Sequence, residues 1–398
     1  MKEGAKMIKE LHRSLMENFE QLVSWRRYLH RHPELSFQEE NTPKFIAEKL
    51  SSFGIEVKTG IGGNGVIGMI KGEKEGKTIA FRADFDALPI HEENDSPYRS
   101  SVKGVMHACG HDGHTAALLG VAKVLSEIDR SRLKGNIVFI FQHAEEKPPG
   151  GAKFMIEDGC LDDVDLVFGA HVSTDIPYGK IGLREGPVMA AVDAFTIQIK
   201  GKGGHGARPH ETVDALVIGS QIVNYLQQIV SRRVNPIDSA VVTVGVFQAG
   251  TAFNVIAENA RIEGTVRTFN PNVRKQIEEE IRAIVQGLCQ ASHASYEIDY
   301  LNGYPPVINP RNETEQLRAI ISETYASDCF YNYQPSMGAE DFAYYLKHKP
   351  GVYFHVGARG DDPKTHYPHH HPRFDFDERA LLVSGKIFLS IVNHYLLQ

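Results

Sequence analysis

His107-Ala108-Cys109-Gly110-His111-Asp112-Gly113-His114 gathers three histidines, a cysteine and an aspartate into eight positions. Imidazole, thiolate and carboxylate together form the ligand set of Zn²⁺, and of Co²⁺, Ni²⁺ or Mn²⁺ in mixed sites, so the stretch reads as one wall of a metal centre. Gly110 and Gly113 free the backbone to turn several of these side chains inward. A closed structural zinc knot needs a second paired cluster, and the other cysteines, Cys160, Cys289 and Cys329, stand alone. The reading is therefore an open, working metal site.

On the C-terminal side the stretch feeds a helix with Ala117, Leu118, Val121, Ala122 and Leu125 on one face. On the N-terminal side, Gly65 to Ile70 and Lys77 to Phe81 are strand-like and flank Lys71-Gly72-Glu73-Lys74-Glu75-Gly76, a hairpin turn or short loop. The second strand ends in Arg82-Ala83-Asp84-Phe85-Asp86-Ala87-Leu88-Pro89, where alternation points Asp84 and Asp86 the same way. Further on, the strand Asn136 to Phe141 ends in Gln142-His143-Ala144-Glu145-Glu146, and Asp165 to Phe168 ends in Gly169-Ala170-His171. Strands alternating with helices imply an α/β fold, whose sheet binds ligands outside the carboxyl ends of its strands. The candidate ligands gather at such ends.

Before these strands, Ile8, Leu11, Leu15, Phe19 and Leu22 recur at helical spacing, predicting a surface amphipathic helix within Met1 to His30, and a second helix runs from Thr42 to Phe53 with Gly54 as its stop. From about Pro187 the pattern becomes strand, helix, strand, strand, helix, strand: Ala194 to Lys200, Val213 to Ser231, Ala240 to Gln248, Ala260 to Thr268, Asn272 to Gln290 and Tyr296 to Tyr300. That order is ferredoxin-like (α+β) and marks an inserted domain. The expected division is residues 1–186 and 301–398 for the metal-binding catalytic domain and 187–300 for the insertion. Gly201-Lys202-Gly203-Gly204-His205-Gly206 lacks the spacing of a phosphate-binding loop. The last part returns to the first domain through a helix near Glu313 to Ala326, the strand Val352 to Val356, the tract His366-Tyr367-Pro368-His369-His370-His371-Pro372 and an amphipathic helix from Asp377 to Leu397.

A chain of 398 residues with 42% hydrophobic and 23% charged residues can bury the core of a globular enzyme. A net charge of -7 argues against a nucleic-acid partner. The N-terminus lacks a secretory apolar run, nothing suggests membrane attachment, and four scattered cysteines fit a reducing, cytoplasmic setting.

With Arg31-His32-Pro33-Glu34, Arg82-Ala83-Asp84-Phe85-Asp86-Ala87-Leu88-Pro89, Met106-His107-Ala108-Cys109-Gly110-His111-Asp112, Gln142-His143-Ala144-Glu145-Glu146, Gly203-Gly204-His205 and Glu340-Asp341-Phe342 assembled, nearly the whole chain resembles the M20 metallopeptidase family, in its amidohydrolase branch. The branch includes hippurate hydrolases, aminoacylases and N-acetyldiaminopimelate deacetylases. The resemblance implies a zinc-aminopeptidase-like α/β catalytic domain, with the insertion as a lid that also makes a homodimer. It implies two divalent ions per subunit (Zn, Mn, Co or Ni) on Cys109, His111, Glu146, His171 and a histidine of the C-terminal tract. The family pattern of histidine, one residue, proline selects His370, with His369 and His371 as alternatives. Two departures stand out: the family usually has proline at His143, and Lys147-Pro148-Pro149-Gly150 varies the following loop.

Adjacent side chains of an extended loop point to opposite sides, so Glu146 is expected on a metal and Glu145 in the cavity as general base. Asp86 is expected to orient the metal centre from behind its ligands, and His205 to donate to the developing oxyanion. Asn254 and Arg267 lie at positions the family uses for substrate contacts, and arginine suits a free α-carboxylate. The expected reaction is hydrolysis of N-acetyl- or N-benzoyl-type amino acids; the alternative is a metallocarboxypeptidase acting on short peptides.

Overall fold

In a computed structural model that describes residues 2–397, the apolar segments of the outer parts of the chain meet in one eight-stranded sheet. Its order is Glu56–Ile61, Gly65–Lys71, Lys134–Gln142, Lys74–Asp84, Leu166–Pro177, Gly351–Arg359, Ile181–Gly182 and Phe330–Tyr331. Lys134–Gln142, Lys74–Asp84, Leu166–Pro177 and Gly351–Arg359 run parallel. They are apolar without alternation because helices cover both faces, and Phe81, Phe139, Phe141 and Phe168 are fully buried.

The segments around Lys71–Gly76 do not form a hairpin. Lys134–Gln142 inserts between them, antiparallel to Gly65–Lys71 and parallel to Lys74–Asp84. The connection instead crosses over that strand, with Gly72 N–H donating to Gly135 O at 2.9 Å. A Cβ on Gly72 or Gly76 would come within 2.5 Å of backbone at Leu133 or Lys134. The hairpin that does form joins Gly65–Lys71 to Glu56–Ile61, a largely exposed strand with no apolar alternation to announce it.

The N-terminal helix is two helices, Lys2–Glu17 and Phe19–Arg31, and the second is no surface element. Leu22, Trp25 and Leu29 are buried together with Arg26 and His30. Leu22 packs where a Cβ on Gly120 would lie, in the helix His111–Ser126. The final helix, Ala380–Leu396, begins later than Asp377 and is buried on most sides rather than amphipathic, with Gly385 making room for Leu15. His171 lies inside its strand, not at the end. Lys74–Asp84 pairs with that strand only as far as Arg82 and Gly169, so His171 stands level with Asp84, the last residue of that neighbour, where the ladder between them has already ended.

These elements form one compact unit, residues 1–188, 308–334 and 341–398. The other unit, residues 189–307 and 335–340, is an antiparallel sheet in the order Ala240–Ala249, Asn259–Thr268, Ala191–Lys200, Ser295–Asn302. That order, with both helices on one face, is ferredoxin-like. The helices Ala215–Gln228 and Pro271–Ala291 bury Ile218, Ile222, Leu226, Ile277, Ile281 and Val285 against Phe195, Ile197, Ile262 and Val266. None of the described helices is long and apolar enough to cross a membrane.

Candidate metal centre

Gly110, at a φ of 92° that suits glycine, ends the loop carrying Cys109 and starts the helix with His111 as its first residue. His111 Nδ1 lies 3.0 Å from Asp86 O and 3.2 Å from Asp86 Oδ1, which puts its proton there. Its Nε2 is left buried without a hydrogen-bond partner. Around that nitrogen stand Glu146 Oε1 at 3.8 Å, Asp84 Oδ2 at 3.8 Å and Glu145 Oε2 at 4.0 Å. Cys109 Sγ lies 3.5 Å from His171 Nε2, and His171 Nδ1 donates to Val172 O at 2.6 Å, leaving Nε2 as the free lone pair.

The two glutamates are not turned to opposite sides, since both reach His111. The segment is not extended: Ala144 has a φ of 51°, its N–H donates to Glu39 Oε1 at 2.8 Å, and its carbonyl accepts from Gly151 N. Glu146 alone joins Cys109 and His370, with Oε1 3.3 Å from His370 Nε2. His370 takes a left-handed φ of 63° and donates its N–H to Ala108 O at 2.8 Å, which pins the tract one residue from Cys109. A bulky residue there is strained, the sort of backbone found at functional sites. His371 instead stacks on Tyr367 and accepts Arg373 N–H, whereas His369 turns its ring to His171 at 5.1 Å.

Asp86, 1% exposed, ties the two sides together. Oδ2 accepts from Ser36 Oγ at 2.7 Å and from Glu146 N at 3.0 Å, while Oδ1 faces His111. Sequence reading missed what stands behind. Arg82 donates to Asp84 at 2.6 Å, to Gln142 at 2.8 Å and to Asp341 at 2.8 Å, and His114 bonds Asp84 at 2.6 Å. The available signal was charge inside an apolar strand, Ile79 to Asp84, which is 2% exposed or less throughout. His143 is buried against Phe37, and burial holds its imidazole below the ordinary value.

The electrostatics call for a cation. Burial, Glu146, Glu145 and Asp84 push the Cys109 thiol well above its usual range, so a thiolate needs a metal beside it. Burial pulls His111 down, yet Asp84 and Asp86 outweigh it and push it up to about 10. Burial, with His114 and His369 nearby, keeps His171 neutral and ready to ligate. Cys109 with His171, Cys109 with Glu146 and His370, and His111 with Glu145 and Glu146 each bring their donor atoms within 4.8 Å of one another. The residues present fit a pair of divalent ions.

In the other unit, His205 sits on a two-residue strand paired with Val255–Ile256, and Gly206 N donates to Asn254 O at 2.9 Å, so His205 and Asn254 are neighbours. Arg267 is not with them. It pairs with Val192, while the His205 end of the sheet is marked by Asn259 opposite Lys200. Eight strand residues separate these ends, on the order of 25 Å. Arg267 is half-buried rather than a solvated surface charge, and it donates to Thr265 Oγ1 at 2.7 Å.

The model of peptidase family M20/M25/M40 matches residues 80–394. YhaA of Bacillus subtilis (strain 168), named as an amidohydrolase, is 53% identical over 379 residues, 95% of this chain and 96% of that one. The N-acyl-L-amino acid amidohydrolase of Geobacillus stearothermophilus is 48% identical over 316 residues, 78% of this chain and 85% of that one. The crystal structure of the Bacillus subtilis YXEP protein, described as a dinuclear metal binding peptidase from the M20 family, has a TM-score of 0.82 at 38% identity, covering 95% of this chain and 98% of that one.

Proposed function

This chain belongs to peptidase family M20/M25/M40, and from that premise we propose that it hydrolyses the amide bond of N-acyl amino acids. The observation that carries the chemistry is His111 Nε2, buried and unpartnered among carboxylate oxygens beside a cysteine whose thiolate needs a cation. We assign Cys109, His111, Glu146, His171 and His370 as the ligands of two divalent ions, drawn from Zn²⁺, Co²⁺, Ni²⁺ and Mn²⁺. Such a pair supplies a water of pKa near roughly 7 and polarises the scissile carbonyl. Glu145, 5% exposed and outside the Cys109–Glu146–His370 group, takes the proton of that water and returns it to the leaving amine. Asp86 holds His111 and the Glu146 backbone in register while this happens.

His205 serves the developing oxyanion, while Asn254 and Arg267 bind substrate, Arg267 taking the α-carboxylate. An N-acyl amino acid is too short to span the distance from His205 and Asn254 to Arg267. That distance supports a homodimer in which the pair and the arginine at any one site come from different copies. Four unpaired, buried cysteines support the cytoplasmic setting read from the sequence.

The test is turnover by chelator-stripped protein reloaded with each metal, on N-acetyl and N-benzoyl amino acids, their carboxamides and dipeptides. Cleavage of the N-acyl amino acids is expected, with kcat/KM lower by roughly ten- to a hundredfold for the carboxamides. Dipeptides cleaved faster than every N-acyl amino acid would turn the assignment to a carboxypeptidase. No turnover of N-acyl amino acids in any loaded form would overturn it.

A further inference from the structure

Of the histidines in the 107–114 stretch, His111 is an assigned ligand and His107 lies in none of the candidate ligand groups, while His114 groups with Asp84 and His111 but has both ring nitrogens engaged by the protein, which leaves its part to be explained. His114 is 6% exposed. Its Nδ1 lies 2.6 Å from Asp84 Oδ1, and its Nε2 accepts the N–H of Val172 at 2.9 Å. These partners fix the tautomer: the proton is on Nδ1, donated to Asp84.

The two partners belong to different strands. Asp84 ends Lys74–Asp84, and Val172 lies inside Leu166–Pro177. These strands pair in parallel as far as Arg82 and Gly169, and then no longer. Past that point Val172 would have its N–H and carbonyl unmet on this side. The His114 ring takes the N–H, and the His171 ring takes the carbonyl at 2.6 Å, so two imidazoles stand in for the missing ladder. The two rings meet edge to face, centroids 4.5 Å apart. Val172 also reaches the other ligand loop, since a Cβ on Gly110, next to Cys109, would lie 2.4 Å from Val172 Cγ2. Asp84 itself cannot drift: Arg82 holds its Oδ2 at 2.6 Å, and Thr115 Oγ1 donates to its carbonyl at 2.8 Å.

We propose that His114 is a positioning residue, which fixes Val172 to the end of the neighbouring strand and thereby sets His171 Nε2 against Cys109 Sγ as a ligand pair. This rests on the metal reading above. His114 does not itself touch substrate or ion.

The experiment titrates Co²⁺ into chelator-stripped protein, following heat of binding and the thiolate-to-cobalt charge-transfer band. His114→Phe, which keeps volume but neither hydrogen bond, is expected to weaken one of two cobalt equivalents by roughly ten- to a hundredfold and to alter the band. His114→Gln, whose amide offers a donor and an acceptor at spacing like that of the two ring nitrogens, should recover most of the affinity. Thr115→Val removes a hydrogen bond to the same Asp84 without touching Val172. It should lower thermal stability while cobalt binding stays as in wild type. If His114→Phe does not fold, His114→Leu takes its place.

Wild-type affinity for both equivalents with an unchanged band in the apolar variant would overturn the proposal, as would equal weakening by Thr115→Val. His171→Ala separates the two levels of the argument. If that variant still binds two equivalents, the ligand assignment fails; if it loses one while His114→Phe loses none, only the positioning role falls.

Discussion

Asp86→Asn is the sharpest probe of how the metal centre is held, because the carboxylate is surrounded by donors alone. Oδ1 faces His111 Nδ1 at 3.2 Å, and Oδ2 accepts Ser36 Oγ at 2.7 Å and Glu146 N at 3.0 Å. Burial pushes its pKa up, but His111, the Glu146 N–H and Ser36 more than compensate and hold the group below the usual carboxylate range, so it is charged. An asparagine of the same size can satisfy only one side. With its oxygen towards His111, its NH₂ opposes the Glu146 N–H; flipped, it opposes the His111 proton.

Each orientation thus forfeits one hydrogen bond to a charged group, a loss of about 1.5–3 kcal/mol. That energy corresponds to roughly ten- to a hundredfold, at tenfold for about each 1.4 kcal/mol. Because His111 and Glu146 are the assigned ligands, the loss should fall on metal retention and kcat, with KM changed less. The assay is metal content against a graded chelator, alongside steady-state kinetics on an N-acetyl amino acid. Ser36→Ala removes one donor to the same charged carboxylate and should cost about 1.5–3 kcal/mol of stability. If Asp86→Asn retains metal at the wild-type chelator midpoint with kcat within about twofold, Asp86 does not orient the centre.

Glu145→Gln should abolish turnover with metal content near wild type, whereas Glu146→Gln should lower occupancy; equal metal loss in both would reject the division between them. Arg26→Met should destabilise by about 3–5 kcal/mol, or roughly 5–9 °C in a thermal melt. Arg26 is fully buried on Asp112 at 2.9 Å and Asp375 at 2.8 Å; without it Asp375 would lose its ion pair and Asp112 would keep only His30. His30 feels burial pulling it down but the Asp112 and Glu92 carboxylates raising it to about 9 from the usual 6.5. A raised folded-state pKa stabilises fully below about 6.5, and that contribution, up to about 3 kcal/mol, is lost as pH climbs through about 9. Denaturant melts across that window should show the decline, and His30→Gln should flatten it; a wild-type curve without slope there would refute the ion pairing.

The strands around the site were legible because parallel strands buried on both faces leave uninterrupted apolar runs, as in Ile137 to Phe141. Their order was not, because sequence says nothing about which run inserts between which, and a mainly exposed edge such as Glu56–Ile61 carries no pattern. The Phe19–Arg31 helix, read as part of a surface helix, was misplaced for a related reason. Arg26 and His30 look like a solvent face until Asp112 is found 86 and 82 residues away.

The 107–114 stretch suggested a metal through its density of donors, but density is not a count of ligands. A helix turns about 100° per residue. His111, Asp112 and His114 therefore leave the same turn in three directions: His111 towards Glu145 and Glu146, Asp112 back to Arg26 and His30, and His114 across to Asp84 and Val172. Only the first direction supplies an assigned ligand; the third reaches the thiol side through Val172 and the His171 ring. The other two fix the helix start from behind, and a ligand held on one side by the protein and on the other by an ion has to be braced in that way.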